Sequence, residues 1–209
     1  MNENSSENFT DNFEKEIFKQ SFDLSIDYAE ISLDAICRED ALKEIPIVKS
    51  LLAFYNISSS IVARHNVKKI IVFLQQFQSR TIDRQQLNKF KERFKEDMKF
   101  RNSTIENILV LLEKFTEIEQ AKILANLFSA YIKEDLTWDE FKKMSFIIKN
   151  LNPAAYEILE KKVNKEHMPM TKTIEGEGFL LACGIGSTFE DQYRFSSTGE
   201  KLFKFGMKS

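Results

Sequence analysis

The chain has 209 residues, of which 43% are hydrophobic, and its formal net charge is −2. That charge excludes a global electrostatic pull toward nucleic acid or anionic lipid. Nineteen Phe against six Gly and three Pro supply large core side chains and few chain breakers, a balance that favours a mainly α fold. The length suits one domain, or one domain with a small appendage.

The N-terminal part of the chain has two predicted segments. Residues 1–12 are polar and are predicted to form a disordered tail. Between Phe13 and Ile36 the pattern is ambiguous, since residues 22–28 alternate as in a strand. A helical period spans the longer stretch, and we therefore predict a helix there. Pro46 ends that element and can start the next helix.

The stretch 45–63 is apolar enough to raise the question of a membrane. Lys49, Asn56 and three consecutive serines, 58–60, interrupt it, whereas a stable span needs about 20 mostly apolar residues. A buried core hairpin is therefore the favoured interpretation. Conditional membrane insertion is kept as an alternative.

The middle of the chain is predicted to be an antiparallel helical array, with residues 13–152 as one helical domain. A charged helix begins after Thr81, with Leu87, Phe90 and Phe94 facing inward. Three sequence pairs have the capping-box spacing, in which a hydroxyl and a carboxylate satisfy exposed backbone N–H groups at a helix start. They are Ser103 with Glu106, Thr116 with Glu119, and Thr137 with Glu140.

The C-terminal segment 153–209 contains an apolar run with a glycine break, 180–186, then the arm 193–195 and a capped helix from Ser197. This order resembles the end of winged-helix domains, and we predict a small β-hairpin near 183–196. Such a unit needs two helices before the hairpin. Residues 154–165 supply one, but 167–173 is predicted to be too short and proline-broken for a second. The prediction is a winged-helix-like cap for protein contacts, with DNA binding as the alternative.

The sequence suggests no catalytic, cofactor-binding or metal-binding residues. It has no P-loop, dinucleotide glycine fingerprint or metalloprotease motif, and His65 and His167 alone are too few for a His-based zinc site. Cys183 lies near His167 in sequence, but its apolar surroundings favour a buried thiol over a nucleophile. Two cysteines and no signal-peptide pattern predict free thiols and a cytoplasmic location.

Charge is unevenly distributed along the chain. Residues 1–44 hold twelve acids and four bases, a net charge of −8, and residues 64–101 hold eleven bases and four acids, a net charge of +7. We expect the 13–44 region to pack on the 64–101 region, within one chain or across a homodimer. Because surface ion pairs contribute little, an apolar stripe on the acidic segment should supply most of the docking energy. Its predicted members are Phe22, Ile26, Leu33 and Ile36.

The basic segment is also the candidate contact surface for a protein or nucleic-acid partner. It interleaves bases with phenylalanines, as single-stranded nucleic-acid grooves do, although the helical spacing of the phenylalanines favours a core role. The candidate contact residues are Lys68, Lys69, Arg80, Arg84, Lys89, Lys91, Arg93 and Lys95, together with Arg194 in the C-terminal arm. No small-molecule substrate is predicted.

Residues 27–36 followed by 42–48, which contain the sequence Ile-Pro-Ile-Val, resemble a widespread group of small, largely uncharacterised bacterial helical proteins. Lys68–Leu74, Lys122–Tyr131 and Trp138–Phe141 fit the later elements of that group, and the resemblance covers roughly 24–205. The chain is also similar to abortive-infection alpha-type proteins, and this resemblance implies a role in phage defence. The motif is a folding motif and implies no active site.

The predicted function is a non-enzymatic cytoplasmic interaction or regulatory protein, in phage defence or a stress response. A winged-helix DNA-binding transcriptional regulator and a conditional membrane effector acting through residues 45–63 are the alternatives. A cryptic hydrolase or nuclease is a further rival class.

Overall fold

The computed structural model describes residues 3–19, 48–49, 61–151, 153–164, 170–189 and 192–208. The predicted fold class is confirmed, because these residues are mainly α-helical with a small two-stranded antiparallel sheet near the C-terminus. The helices of the first half are α1 Glu3–Ile17, α2 Ile61–Gln78, α3 Arg84–Glu96, α4 Met98–Lys114 and α5 Ile118–Ile132. The later elements are α6 Trp138–Asn150, α7 Pro153–Val163, α8 Met170–Ala182, β1 Gly186–Phe189, β2 Gln192–Phe195 and α9 Ser197–Leu202, which continues into a π-helical turn, Phe203–Met207.

The chain forms two compact units, Met1–Ala125 and Asn126–Ser209, and the division falls within α5. The boundary at residues 152 and 153 stays a prediction. Within the second unit, an aromatic cluster joins the end of α5 to α6. Tyr131 lies 5.1 Å from Trp138 and 6.0 Å from Phe141 between ring centroids, and Phe128 lies 5.8 Å from Phe141.

In the first unit, α1 packs on the helices that follow it. Phe13 stacks on Phe73 of α2 at 6.1 Å, and Phe18 meets Phe94 of α3 edge to face at 5.5 Å. The expectation that the acidic region packs on the basic one is thereby confirmed for residues 13–19. The predicted stripe of Phe22, Ile26, Leu33 and Ile36 lies outside the described residues, as does the strand-or-helix ambiguity at 22–28.

Helix α1 corrects the prediction of a disordered tail at 1–12, since the helix begins at Glu3. Phe13 and Ile17 are one turn apart and both are buried. Most helical stability in proteins comes from packing of an apolar face, so two buried anchors near the end of α1 outweigh the polar composition before them.

Capping at the helix starts agrees only partly with the predicted boxes. Thr137 and Glu140 form the predicted one: the Glu140 N–H donates to Thr137 Oγ1 at 3.2 Å, and the Thr137 N–H donates to Glu140 Oε2 at 2.9 Å. The box at Ser103 is wrong, because Asp97 caps α4 by accepting from the Phe100 N–H at 2.8 Å and Ser103 lies inside the helix.

At the start of α5, the side chain that accepts the backbone hydrogen bonds is not the predicted one. Gln120 Oε1 accepts from the Thr116 and Glu117 N–H groups at 2.9 and 3.0 Å. The side chain that reaches back is therefore that of Gln120 and not Glu119. Because Gln120 lies one residue further along the chain than Glu119, its amide oxygen accepts from two exposed backbone N–H groups at once.

In the second unit, α8 corrects the prediction that no second full helix precedes the hairpin. Residues 170–173 of the segment predicted to be too short belong to α8, Met170–Ala182. Gly176 is buried, and a Cβ on it would lie 2.3 Å from Ile158 Cγ2. The absence of a side chain at Gly176 therefore lets α7 and α8 approach closely, which stabilises a helix of modest propensity.

The hairpin pairs Gly186 with Phe195 and Phe189 with Gln192, in the region the sequence predicted. Ser196 joins it to α9: its backbone N–H and its hydroxyl both donate to Ile185 O at 2.8 Å, and its Oγ accepts from the Gly199 N–H at 3.1 Å. A Cβ on Gly199 would lie 2.3 Å from Ile185 O. Only glycine therefore lets α9 start this close to the hairpin.

Candidate interaction surfaces

Two of the predicted contact residues, Lys68 and Lys69, are buried in α2 and form no exposed surface. Lys69 is only 1% exposed, and its Nζ donates to Glu113 O at 3.1 Å and to Phe115 O at 2.7 Å. Burial lowers the pKa of Lys69 to about 8, against an opposing influence from Glu113. This lysine closes the C-terminal end of α4, where carbonyl groups lack helical partners and favour a cation.

His65 lies one turn before Lys69 on α2 and acts on the same helix end. Its Nε2 is 3.0 Å from Thr116 O, and because a carbonyl only accepts, Nε2 carries the proton in this contact. Two basic side chains of α2 therefore satisfy the carbonyls at 113, 115 and 116, just where α4 ends. Their role is structural, and the sequence pattern alone did not separate it from a contact role.

The remaining predicted bases lie mostly on α3, which we call the basic helix. It carries five bases and two acids, a net charge of +3. Arg84, Lys89, Arg93 and Lys95 are exposed there, and Lys91 is half-buried. Several have intramolecular partners: Lys91 Nζ lies 5.7 Å from the Phe18 ring centroid, Arg93 Cζ lies 3.6 Å from that of Phe100, and Lys95 pairs with Glu92 at 2.7 Å.

Arg80 and Arg101 are two further bases of this region. Arg80 is half-buried after the end of α2, and burial lowers the pKa of its guanidinium. Arg101, which the sequence did not single out, is buried and bonds Asp11 through Nη2 and Glu14 through Nε, both at 2.5 Å. Burial opposes its charge, but the hydrogen bonds to Glu14 and Asp11 prevail and raise the Arg101 pKa. Arg101 thus fastens α1 to α4.

The phenylalanines of the basic segment are core residues, as their spacing predicted. Phe73, Phe77, Phe90 and Phe94 are buried, and Phe90, Phe94 and Phe100 pack on one another at 4.8 to 5.8 Å between centroids. Single-stranded nucleic-acid grooves need exposed rings on which bases stack. The basic helix therefore presents positive charge without an aromatic platform.

In the second unit, helix α8 directly precedes the hairpin in the element order. Over its length α8 has one lysine and two glutamates. Among its described side chains, residues 175–182, the exposed positions are Glu175, Gly178 and Ala182. Arg194, the predicted contact in the arm, is exposed on β2 opposite Ser187. The arm therefore exposes one basic side chain, whereas the described part of α8 exposes an acidic residue and two small residues.

A third surface was missed at the sequence level. On α6 the exposed side chains Lys142, Lys143, Phe146 and Lys149 lie together, and we call them the α6 face. The ring of Phe146 is 63% exposed, and Lys149 Nζ lies 5.8 Å from its centroid. The opposite side of α6 carries Phe141, Met144 and Ile148, all of which are buried. An aromatic residue on the lysine side of the helical period was the available signal.

The side chains beside Phe146 are held in place by polar contacts. Lys142 pairs with Asp139 at 2.9 Å, and Lys143 Nζ donates to Thr198 Oγ1 at 3.0 Å. At the start of α6, Glu140 pairs with Lys201. Hydrogen bonds from Lys201 and then from the Thr137 backbone lower the pKa of Glu140 to about 2.

Cys183, which was predicted to be a buried thiol, is half-buried. Its Sγ–H donates to Asn150 O at 3.5 Å, and burial raises the pKa of the thiol, which keeps it protonated at neutral pH. His167 lies outside the described residues. Within the described ranges, no three His, Cys, Asp or Glu side chains are placed to hold a metal ion.

Among the described residues, no helix combines the length and the apolar character needed to cross a bilayer. Of the stretch 45–63, the structure describes 48–49 and 61–63, where Val48 is buried and Lys49 exposed.

Comparison of the chain with protein-family models, with curated proteins and with solved structures finds no match.

Proposed function

We propose that this chain is a non-enzymatic cytoplasmic interaction or regulatory protein whose C-terminal winged-helix-like module contacts protein and not DNA. The observation that carries the proposal is the charge of α8. This helix follows α6 and α7 and precedes the hairpin, the order in which a DNA-reading domain places its recognition helix. Its two glutamates and single lysine would lie against phosphates, where binding requires bases.

The exposed surface of α8 suits a protein partner better. Glu175, Gly178 and Ala182 are exposed on one side, and a Cβ on Gly178 would meet no atom within 4 Å. A flat, small-residue surface lets another backbone approach closely. Polar and acidic groups beside it would give such a contact its orientation.

DNA binding by the full chain tests this proposal. Fluorescence anisotropy with labelled mixed-sequence duplex DNA should detect at most weak binding at low salt, caused by the basic helix. That binding should vanish at physiological ionic strength and in a triple variant Arg84→Glu, Lys89→Glu, Lys95→Glu. A Gly178→Glu variant should bind DNA as the original chain does.

The opposite pattern would favour the DNA-binding regulator. Selection of one sequence from a randomised duplex library, at physiological salt, with loss of that binding in Gly178→Glu and retention in the triple variant, would assign DNA reading to α8 and overturn the proposal. Gly178 is suited to this use because its site has room for a side chain.

The proposed biological setting rests on the resemblance of roughly residues 24–205 to abortive-infection alpha-type proteins, which supports a role in phage defence. Expression of the chain in a bacterial host should lower the plaque number of at least one phage in a broad panel. A Gly178→Arg variant, which places a large side chain on the exposed side of α8, should restore plaque formation. Equal protection by both proteins would remove α8 from the defence role.

A further inference from the structure

We propose that the α6 face binds an acidic linear segment of a partner protein, with Phe146 as the apolar anchor and Lys142, Lys143 and Lys149 as the ionic contacts. This inference rests on the interaction role proposed above, and it concerns a different surface from that of α8. It names the chemistry of the partner: a peptide that combines carboxylates with at least one apolar side chain.

The first step of the argument is the position of Phe146. The residues one turn before it are Lys142 and Lys143, and the residues one turn after it are Lys149 and Asn150. All four neighbours are exposed. Single apolar residues are common on protein surfaces, but here the phenyl group of Phe146 is surrounded by polar side chains. An apolar centre within a polar rim is the arrangement of a protein interface.

The second step is charge. The three lysines of the α6 face are opposed by one exposed carboxylate on the same helix, that of Asp139, which already pairs with Lys142 at 2.9 Å. The other carboxylate of the first turn, Glu140, pairs with Lys201. The exposed charges of α6 around Phe146 are therefore mainly positive, and they favour an acidic partner.

The third step is rigidity. The opposite side of α6 is buried through Phe141, Met144 and Ile148, and the helix start is closed by the Thr137–Glu140 box. Lys143 is held by Thr198, and Lys149 lies over the ring of Phe146. A surface held in this way loses little conformational freedom on binding, which favours recognition of a short segment.

Selection from a displayed library of random linear peptides, against the full chain, tests the proposal. The peptides enriched should share two or more acidic residues and an apolar one. Their affinity, measured by anisotropy with synthetic labelled copies, should fall by at least about tenfold in Phe146→Ser and in the charge-reversed variant Lys142→Glu, Lys149→Glu. Binding should also weaken as salt rises.

Matched controls separate this surface from others on the same molecule. Met98→Ser removes an apolar side chain of similar exposure, 54%, from α4, and Lys89→Glu, Lys95→Glu reverses two charges on the basic helix. Both should leave peptide affinity unchanged. Thermal melting by circular dichroism should show that Phe146→Ser is folded, since the ring contributes little to the core.

Other outcomes would overturn the proposal. They are no enrichment over an unrelated bait, enriched peptides without acidic residues, or affinity unchanged in both α6-face variants. Binding of the full chain to anionic phospholipid vesicles that is lost in Phe146→Ser, without peptide enrichment, would assign the face to lipid instead. None of these results changes the DNA test of α8, so the two proposals fail separately.

Discussion

The two units of this protein are stabilised in different ways. The first unit buries charge: Lys69 closes the end of α4, and Arg101 fastens α1 through Asp11 and Glu14. The second unit depends on close approach: Gly176 admits Ile158, and Gly199 admits the Ile185 carbonyl. The difference implies that pH and salt should act mainly on the first unit, whereas added methyl groups should act mainly on the second.

The largest effect is expected from Gly199→Ala. The new Cβ would lie 2.3 Å from the backbone oxygen of Ile185, and backbone cannot move aside as a flexible side chain can. The free energy of unfolding should fall by about 3 kcal/mol, at the upper end for overpacking, as measured by urea denaturation. Ser197→Ala, at an exposed position two residues away, is the control and should cost far less. Equal losses would show that the close approach is not needed.

The pH dependence of the first unit should come from Lys69. Its pKa is about 8 in the folded chain against 10.5 unfolded, so between these values the unfolded chain binds more protons. Raising the pH from about 8 to 10.5 should therefore raise the free energy of unfolding, by up to about 3 kcal/mol from this residue.

The comparison of Lys69→Met with Lys99→Met isolates that contribution. Lys99 is exposed on α4, so its variant should keep the alkaline rise in stability, whereas Lys69→Met should lose it. Urea denaturation across this pH range measures both. Parallel curves for the two variants would contradict the assignment of the low pKa to the buried ammonium.

Arg101 should give a smaller effect that depends on salt. Asp11 is 57% exposed, so its carboxylate can be rehydrated when the guanidinium is removed. We expect Arg101→Met to lower the free energy of unfolding by roughly 1–2 kcal/mol, less than for a fully buried pair. A double-mutant cycle with Glu14→Gln should give a coupling energy that shrinks at high salt. A coupling of zero at low salt would mean that the ion pair between Arg101 and Glu14 does not help to hold α1.

Two glycines of α8 should respond in opposite directions. Gly178→Ala meets no atom within 4 Å, so the gain in helix propensity should stabilise the chain by about 0.5–1 kcal/mol. Gly176→Ala gains the same propensity but clashes with Ile158, and it should destabilise by roughly 1–2 kcal/mol. Thermal melting of both variants gives the signs. Stabilisation by both would mean that Ile158 moves aside freely.

The smallest effect is expected from Glu140, whose ionisation should make the stability of the second unit depend slightly on pH. Its pKa is about 2, against 4.5 for an ordinary glutamate, so the stability it contributes is present above 4.5 and is lost as the pH falls toward 2. Glu140→Gln should flatten that acidic limb slightly in denaturation experiments, whereas Glu134→Gln, at an exposed position before α6, should leave it unchanged. A large change on Glu140→Gln would break the contrast between the units.

The sequence predicted the fold class, the hairpin and the burial of the phenylalanines, because these depend on periodicity and on few breakers. The Thr137–Glu140 box was found, whereas the Ser103–Glu106 pair was not a cap, since the same residues also suit a helix interior and Asp97 caps earlier. α1 was missed because its stability comes from burial of Phe13 and Ile17 against distant helices. α8 was missed because a buried glycine, Gly176, contributes packing that no local pattern contains.

The candidate surfaces were harder to predict than the fold. Lys69 and Arg84 are both bases in the same basic segment, and the sequence does not distinguish their roles. Lys69 is structural because it donates to a carbonyl at the end of α4, more than forty residues away. The α6 face was harder to predict because the hydrophobic period of a helix indicates its buried side, whereas this face depends on one apolar residue on the polar side. Phe146 is that residue.

The aromatic cluster of the second unit has an optical consequence. Trp138 is the chain's one tryptophan, and its indole lies against Tyr131 and Phe141 at 5.1 Å, within the second unit. Excitation selective for indole therefore yields an emission signal from that unit alone, while far-ultraviolet ellipticity averages over every helix. When emission and ellipticity are followed in the same titration, separate midpoints would distinguish stepwise loss of the units from one cooperative transition.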